Sequence, residues 1–133
     1  MSIYLERARE LRACEDPHYN CAQSVLVPFA EQAGMTTEQA LAVAQGFGGG
    51  MQTGGICGAI SGGVMALGVL GIATPRTVSA FVRRMRDNHG GMTQCVDLLR
   101  ANREAGGEKK PHCDAMVFES VALVEEFLAS AAG

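Results

Sequence analysis

The chain is short of aromatic side chains: 133 residues contain no Trp, two Tyr and five Phe, 5% in all. Its 11 Lys and Arg form no basic run, and the net charge is only −3. Without a basic stripe or a stacking platform there is no footprint for nucleic acid. Glu108-Lys109-Lys110 is too short to make one and reads as a solvated loop. The opening residues carry Glu6, Arg7, Arg9, Glu10 and Arg12, where a secretory signal needs an uncharged apolar segment. A reducing cytoplasm is therefore the expected compartment. No C-x-x-C exists, which removes the short-range cysteine pairs of structural zinc sites and of thioredoxin-like motifs. Without C-x-x-C-H no haem is expected. A phosphate cradle of the G-x-x-x-x-G-K-[ST] type is also missing, so no nucleotide is expected.

Charge itself is absent from Gln39 to Pro75, and Gly54–Ala73 has the length of a membrane span. Seven of those 20 residues are Gly, and the flanks show neither a Trp/Tyr belt nor a clear Lys/Arg asymmetry. A buried central helix is the better reading, and no membrane span is expected.

What is present suits one domain over residues 1–133. Hydrophobic residues make up 47%, and 133 residues suffice to bury a core without disulfide staples. Apolar spacing points to an all-α protein, a compact helical bundle of about five to six helices with a Gly/Ala-rich central helix. A charged helix over Ile3–Ala13 ends before Asp16-Pro17. Asn20 caps the next, with Cys21, Val25, Phe29 and Ala33 on one stripe and Gly34 as its stop. Thr36 or Thr37 opens a segment with Leu41, Ala44 and Phe47 inward. Gly46–Gly55, six Gly in ten residues, reads as a loop. The central helix begins near Cys57 and carries Ile60, Val64, Leu67 and Gly71. Thr74-Pro75 starts a helix that presents Val78, Val82 and Met85 inward and stops at Gly90-Gly91. A short segment follows from Cys95 to about Asn102, with Leu98 and Leu99 apolar. Glu104–Pro111 reads as a loop, and a last helix from about His112 to Ala131 carries Cys113, Val117, Val121, Val124 and Leu128 on one stripe.

The informative pattern lies in the cysteines. Cys21, Cys57, Cys95 and Cys113 each fall in or near the first turn of an expected helix. Free N–H groups and the helix dipole there favour thiolate. Cys14 falls at a helix end, where the dipole disfavours thiolate, and is set apart. Separations of 36, 38 and 18 residues place the four on different elements whose ends must meet. Five cysteines in a reducing compartment suggest metal or redox chemistry more than a disulfide scaffold. The alternative for any one of them is a small apolar filler. Glycines before Cys57 suit a backbone that approaches something closely, whether a bound group or a packed helix.

His18, three residues before Cys21, and His112, beside Cys113, are candidate bases or ligands, though such residues are more often solvent-facing turn residues. His89 before Gly90-Gly91 suits a helix C-terminus. Met51, Met65, Met85, Met92 and Met116 read as core filler.

Asn20-Cys21-Ala22-Gln23-Ser24-Val25-Leu26, Gly46-Phe47-Gly48-Gly49-Gly50-Met51 and Cys57-Gly58-Ala59-Ile60-Ser61-Gly62 stand in order along the chain. Cys95 before Leu98-Leu99 and Cys113 before Val117 complete that order. From about Asn20 to Val124 the sequence resembles the redox-active proteins named for their C_GCAxxG_C_C pattern. One departure is that Ile56 precedes Cys57 and Gly58 follows it. The resemblance implies redox use of the four cysteines, leaves Cys14 outside them and names no substrate. A related module occurs in a multihaem cytochrome where an iron–sulfur centre is implied.

The expected function is a redox protein in which Cys21, Cys57, Cys95 and Cys113 bind an iron–sulfur cluster for electron transfer or redox sensing. Gly55 and Gly58 then let backbone approach the bound group. Two alternatives stay open. One is metal-free thiol–disulfide chemistry, with Cys57 as the attacking thiol of lowered pKa. The other is a helical module that binds a small ligand or partner while its cysteines are structural. An unidentified redox partner is expected, and the flat Gly/Ala helix face is compatible with a homodimer.

Overall fold

Four helix starts are set by capping side chains. Ser2 Oγ accepts from Leu5 N at 3.0 Å. Asn20 and Gln23 form a reciprocal capping box, and so do Thr36 and Gln39. Thr74 Oγ1 accepts from Thr77 N, with Pro75 at the first helical position. The computed structural model describes residues 2–132. It contains seven α-helices: α1 Ile3–Ala13, α2 Cys21–Gln32, α3 Thr37–Ala44, α4 Gly58–Val69, α5 Pro75–Asp87, α6 Cys95–Glu104 and α7 Lys109–Ala132. No strand occurs among the described residues.

The all-α expectation holds, with seven helices where about five to six were expected, because the short segment at Cys95 forms a full helix, α6. α4 is the central helix. It packs on α2, α5 and α7 and has scarcely any polar face. Its glycines set how closely the neighbours come. A Cβ on Gly62 would lie 2.7 Å from Ala22 O, and one on Gly63 would strike the Phe81 ring and Ser120 Oγ. Ser120 is fully buried and donates to Ala59 O at 2.8 Å, tying α7 to α4. Around this contact Phe29, Ile60, Leu67, Phe81, Val117 and Val121 form the main core. Tyr4 stacks on Phe29 with ring centroids 4.4 Å apart.

Three expectations need correction. Gly46–Gly55 is not an open loop. Gln45–Phe47 is a 3₁₀ turn and Gly50–Gly54 a π-type turn. Gly49, Gly50, Met51 and Gln52 are left-handed in succession, with φ from 58° to 63°. Gly50 is obligatory there, since a Cβ would collide with the Gly55 backbone. Met51 is not core filler: at φ 58° its side chain points outward and is 59% exposed. Finally, α7 begins at Lys109 rather than near His112, so Lys109 and Lys110 belong to its first turn and not to a loop, while Glu108, Lys109 and Lys110 are all exposed as expected. Pro111 is its third residue, a position where the missing N–H has no helical partner to lose.

Among the described residues no helix is long and apolar enough to cross a membrane. The stretch that looked long enough is divided between the Gly50–Gly54 turn, α4 and the turn before Pro75.

Candidate functional site

Local backbone pairing brings two distant cysteines side by side. Ile56 and Gln94 form an antiparallel bridge. Cys57 N donates to Thr93 O at 2.8 Å, and Cys95 N donates to Gly55 O at 2.6 Å. This miniature ladder fixes Cys57 as the N-cap of α4 beside Cys95, the first residue of α6. Cys21, the first residue of α2, reaches the same place because Gly58 has no side chain. A Cβ on Gly58 would stand 3.3 Å from Cys21 Cβ and 3.0 Å from Phe47 O. Cys113 comes from α7, one turn inside the helix rather than at its start.

Cys21, Cys57, Cys95 and Cys113 together line one cavity of about 530 Å³. All are free thiols. Gly58 lines it too. Gly55 lies outside the lining, its carbonyl holding the Cys95 N–H, and Gly49 and Gly54 line the cavity instead. Cys14 is the C-cap of α1 and does not reach it. His18 and His112 both do. Burial, with help from nearby His89, holds the His112 pKa below its ordinary value. His89 itself caps a different contact, 2.8 Å from Glu119.

The sequence pattern did not pick out the cations. Arg12 is buried, with 6% exposure. Its Nε donates to Asp114 Oδ1 at 2.7 Å, and Nη1 donates to Tyr19 O at 2.8 Å. Lys110 Nζ donates to Arg12 O at 2.9 Å and to both Asp114 oxygens. Arg12, Lys109 and Lys110 all line the cavity. Arg12 sits at an i+4 position after the buried Ala8 and beside Leu11, so its burial was the only available hint.

The thiols differ in acidity, and not as their helix positions predict. Burial pushes Cys57 up to about 11, although the backbone N–H groups of Ala59 and Ile60 act in the opposite direction. Those N–H groups do not close a capping bond. Burial raises Cys95 as well. Interaction between the neighbouring Cys21 and Cys113 thiols raises Cys21 and lowers Cys113, the latter to about 7. Arg12 and Lys109 also favour the Cys113 thiolate. The expected lowering at Cys57 is therefore not met. The activated thiol is Cys113, where a neighbouring thiol and cations outweigh a smaller burial penalty.

A family profile described as "Putative redox-active protein (C_GCAxxG_C_C)" matches residues 19–127. The chain belongs to this family. No curated protein and no solved structure matches it. The four cysteines around the cavity all lie within the C_GCAxxG_C_C match, as do Lys109, Lys110 and His112. Arg12 lies before it.

Proposed function

We propose that this C_GCAxxG_C_C protein uses its four thiols as one redox centre that holds an iron–sulfur cluster. The observation that carries the reading is the convergence of Cys21, Cys57, Cys95 and Cys113, from four helices, on a single cavity. Among the described residues no three His, Cys, Asp or Glu side chains are gathered tightly enough for a single metal ion. A cluster makes a different demand, because its ligands are spread over several metal atoms and are all thiolates. The donor set fits that demand. The cations at Arg12, Lys109 and Lys110 fit it too, since they offset an anionic occupant. Bound by the four cysteines, a cluster would supply one-electron transfer. The protein's own part is to hold the thiols at a Gly-lined wall and, through Leu98, Leu99 and Met116, to keep one side of the cavity apolar.

The test is anaerobic reconstitution with iron and sulfide. The expected product is brown and contains iron and acid-labile sulfide in comparable amounts, both lost in the Cys57→Ser and Cys95→Ser variants. A colourless chain containing neither rejects the cluster.

The placing of Cys21 and Cys113 as interacting free thiols on one cavity favours a second reading, two-electron thiol–disulfide exchange. The Cys113 thiolate attacks one sulfur of a substrate disulfide and displaces the other as a thiol. Cys21 then loses its proton, attacks the Cys113 sulfur and releases the second substrate thiol, leaving a Cys21–Cys113 disulfide. Oxidation by a small disulfide would give a Cys21–Cys113 cross-link in a peptide map, and Cys21→Ser would trap a mixed disulfide at Cys113.

A further inference from the structure

The cavity that gathers the thiols is also strongly selective in charge. The chain as a whole is acidic, yet three cations line this cavity and no carboxylate does among the described residues. Asp114 is the nearest compensation, and it is already shared between Arg12 and Lys110. Lys109 has no ion pair or hydrogen bond for its ammonium group among the described residues, although Glu108 precedes it in the chain. The lining also includes the apolar side chains Val96, Leu98, Leu99 and Met116. A volume of about 530 Å³ falls in the range of small-molecule sites, roughly 300–1,000 Å³.

We propose that this cavity is a binding site for a small organic anion with an apolar body, held at its charged end by Lys109 beside the four thiols. The apolar wall takes the body of the ligand. Arg12 and Lys110, tied down by Asp114, shape the positive rim, and Lys109 supplies the free charge. The ligand's reactive group is thereby delivered next to sulfur, which makes the protein a carrier of substrate as well as of electrons. The assignment rests on the metal-free cavity, and a cluster that took up the cations would exclude it.

Paired reagents of equal shape test it. In the reduced, metal-free full chain, the alkylation of Cys113 by iodoacetate and by iodoacetamide is compared by peptide mass spectrometry at low salt. Both reagents form a carbon–sulfur bond and expel iodide from the same thiolate, so their rate ratio cancels thiol acidity and reads the field in the cavity. The expected ratio favours the anionic reagent. Lys109→Gln should lower that ratio about three- to tenfold, as for loss of one unit charge a few ångströms away in a partly solvated site. Lys109→Arg should retain it, and 0.5 M salt should weaken it. A ratio at or below unity, or one that Lys109→Gln leaves unchanged, overturns the proposal.

Equilibrium dialysis with benzoate and benzamide forms the second arm, before and after treatment with iron and sulfide. Benzoate binding that survives iron uptake supports a ligand site. Binding abolished by iron uptake assigns the cations to the cluster and overturns it. Failure to take up iron rejects the cluster reading alone, because the alkylation ratio is read without metal.

Discussion

Cys57 has the backbone N–H groups of Ala59 and Ile60 close by, and still its thiol is pushed up to about 11, because burial penalises the thiolate more than they help it. Cys113 has no such position and is lowered to about 7, because the Cys21 thiol interacts with it and Arg12 and Lys109 stand nearby. The sign of the pH dependence follows. As pH rises, Cys113 becomes a thiolate before Cys57 does. In the reduced, metal-free chain, the rate of Cys113 alkylation by iodoacetamide should reach half its maximum near pH 7. Cys21→Ala removes the largest cause of the lowering and should move that midpoint up toward the ordinary 9.0. A pH–rate profile measured peptide by peptide checks this, and an unmoved midpoint would reject the role of Cys21. Cys113 was legible as a site residue from its place on the apolar stripe of the last helix. Its acidity was not, because that depends on a partner 92 positions away in the chain.

Among the helices, α4 shows best how one composition serves opposite purposes. Gly63 faces the Phe81 ring and Ser120 Oγ, whereas Gly68 faces open space on the same helix. Alanine favours a helix over glycine by roughly 0.5–1 kcal/mol, so Gly68→Ala should stabilise the protein by about that amount. Gly63→Ala gains the same propensity but overpacks the α4–α5–α7 contact, and should destabilise by about 1–3 kcal/mol. Denaturant unfolding of the two variants separates the effects, and equal shifts of the same sign would show that Gly63 is not a packing glycine. The start, stripe and stop of most helices could be read from Asn20, Thr36, Pro75 and the glycines after α2 and α5. The left-handed turn at Gly49–Gln52 could not. Met51 and Gln52 do not favour positive φ, and only the closure of Gly50 against Gly55 and the Ile56–Gln94 bridge imposes it.

Over the whole molecule, Arg12 links the outermost helix to the site. It joins α1 to α7 through Asp114 and to the α1–α2 connection through Tyr19 O, and it forms part of the cavity wall. Removing one member of a buried ion pair leaves the other uncompensated. Because the Asp114 side chain is 25% exposed and keeps Lys110, the cost of Arg12→Ala should fall below that of a fully dry pair, at about 2–3 kcal/mol. Arg12→Lys should recover only part of it, since an ammonium cannot span both Asp114 and Tyr19 O in the same way. Thermal unfolding of the two variants checks the ordering, and a neutral Arg12→Ala would show that the pair contributes nothing.

The one-dimensional pattern by itself determined the all-α class, the Gly/Ala central helix and the choice of Cys21, Cys57, Cys95 and Cys113 over Cys14. Apolar periodicity, caps and family spacing are all written along the chain. Only the tertiary structure decided which thiol is acidic, which glycines are close contacts, and that Arg12, Lys109 and Lys110 stand around the sulfurs. These depend on burial and on distances between side chains far apart in sequence. A charged residue such as Lys109 reads the same along the chain whether water or a thiol-lined cavity faces it.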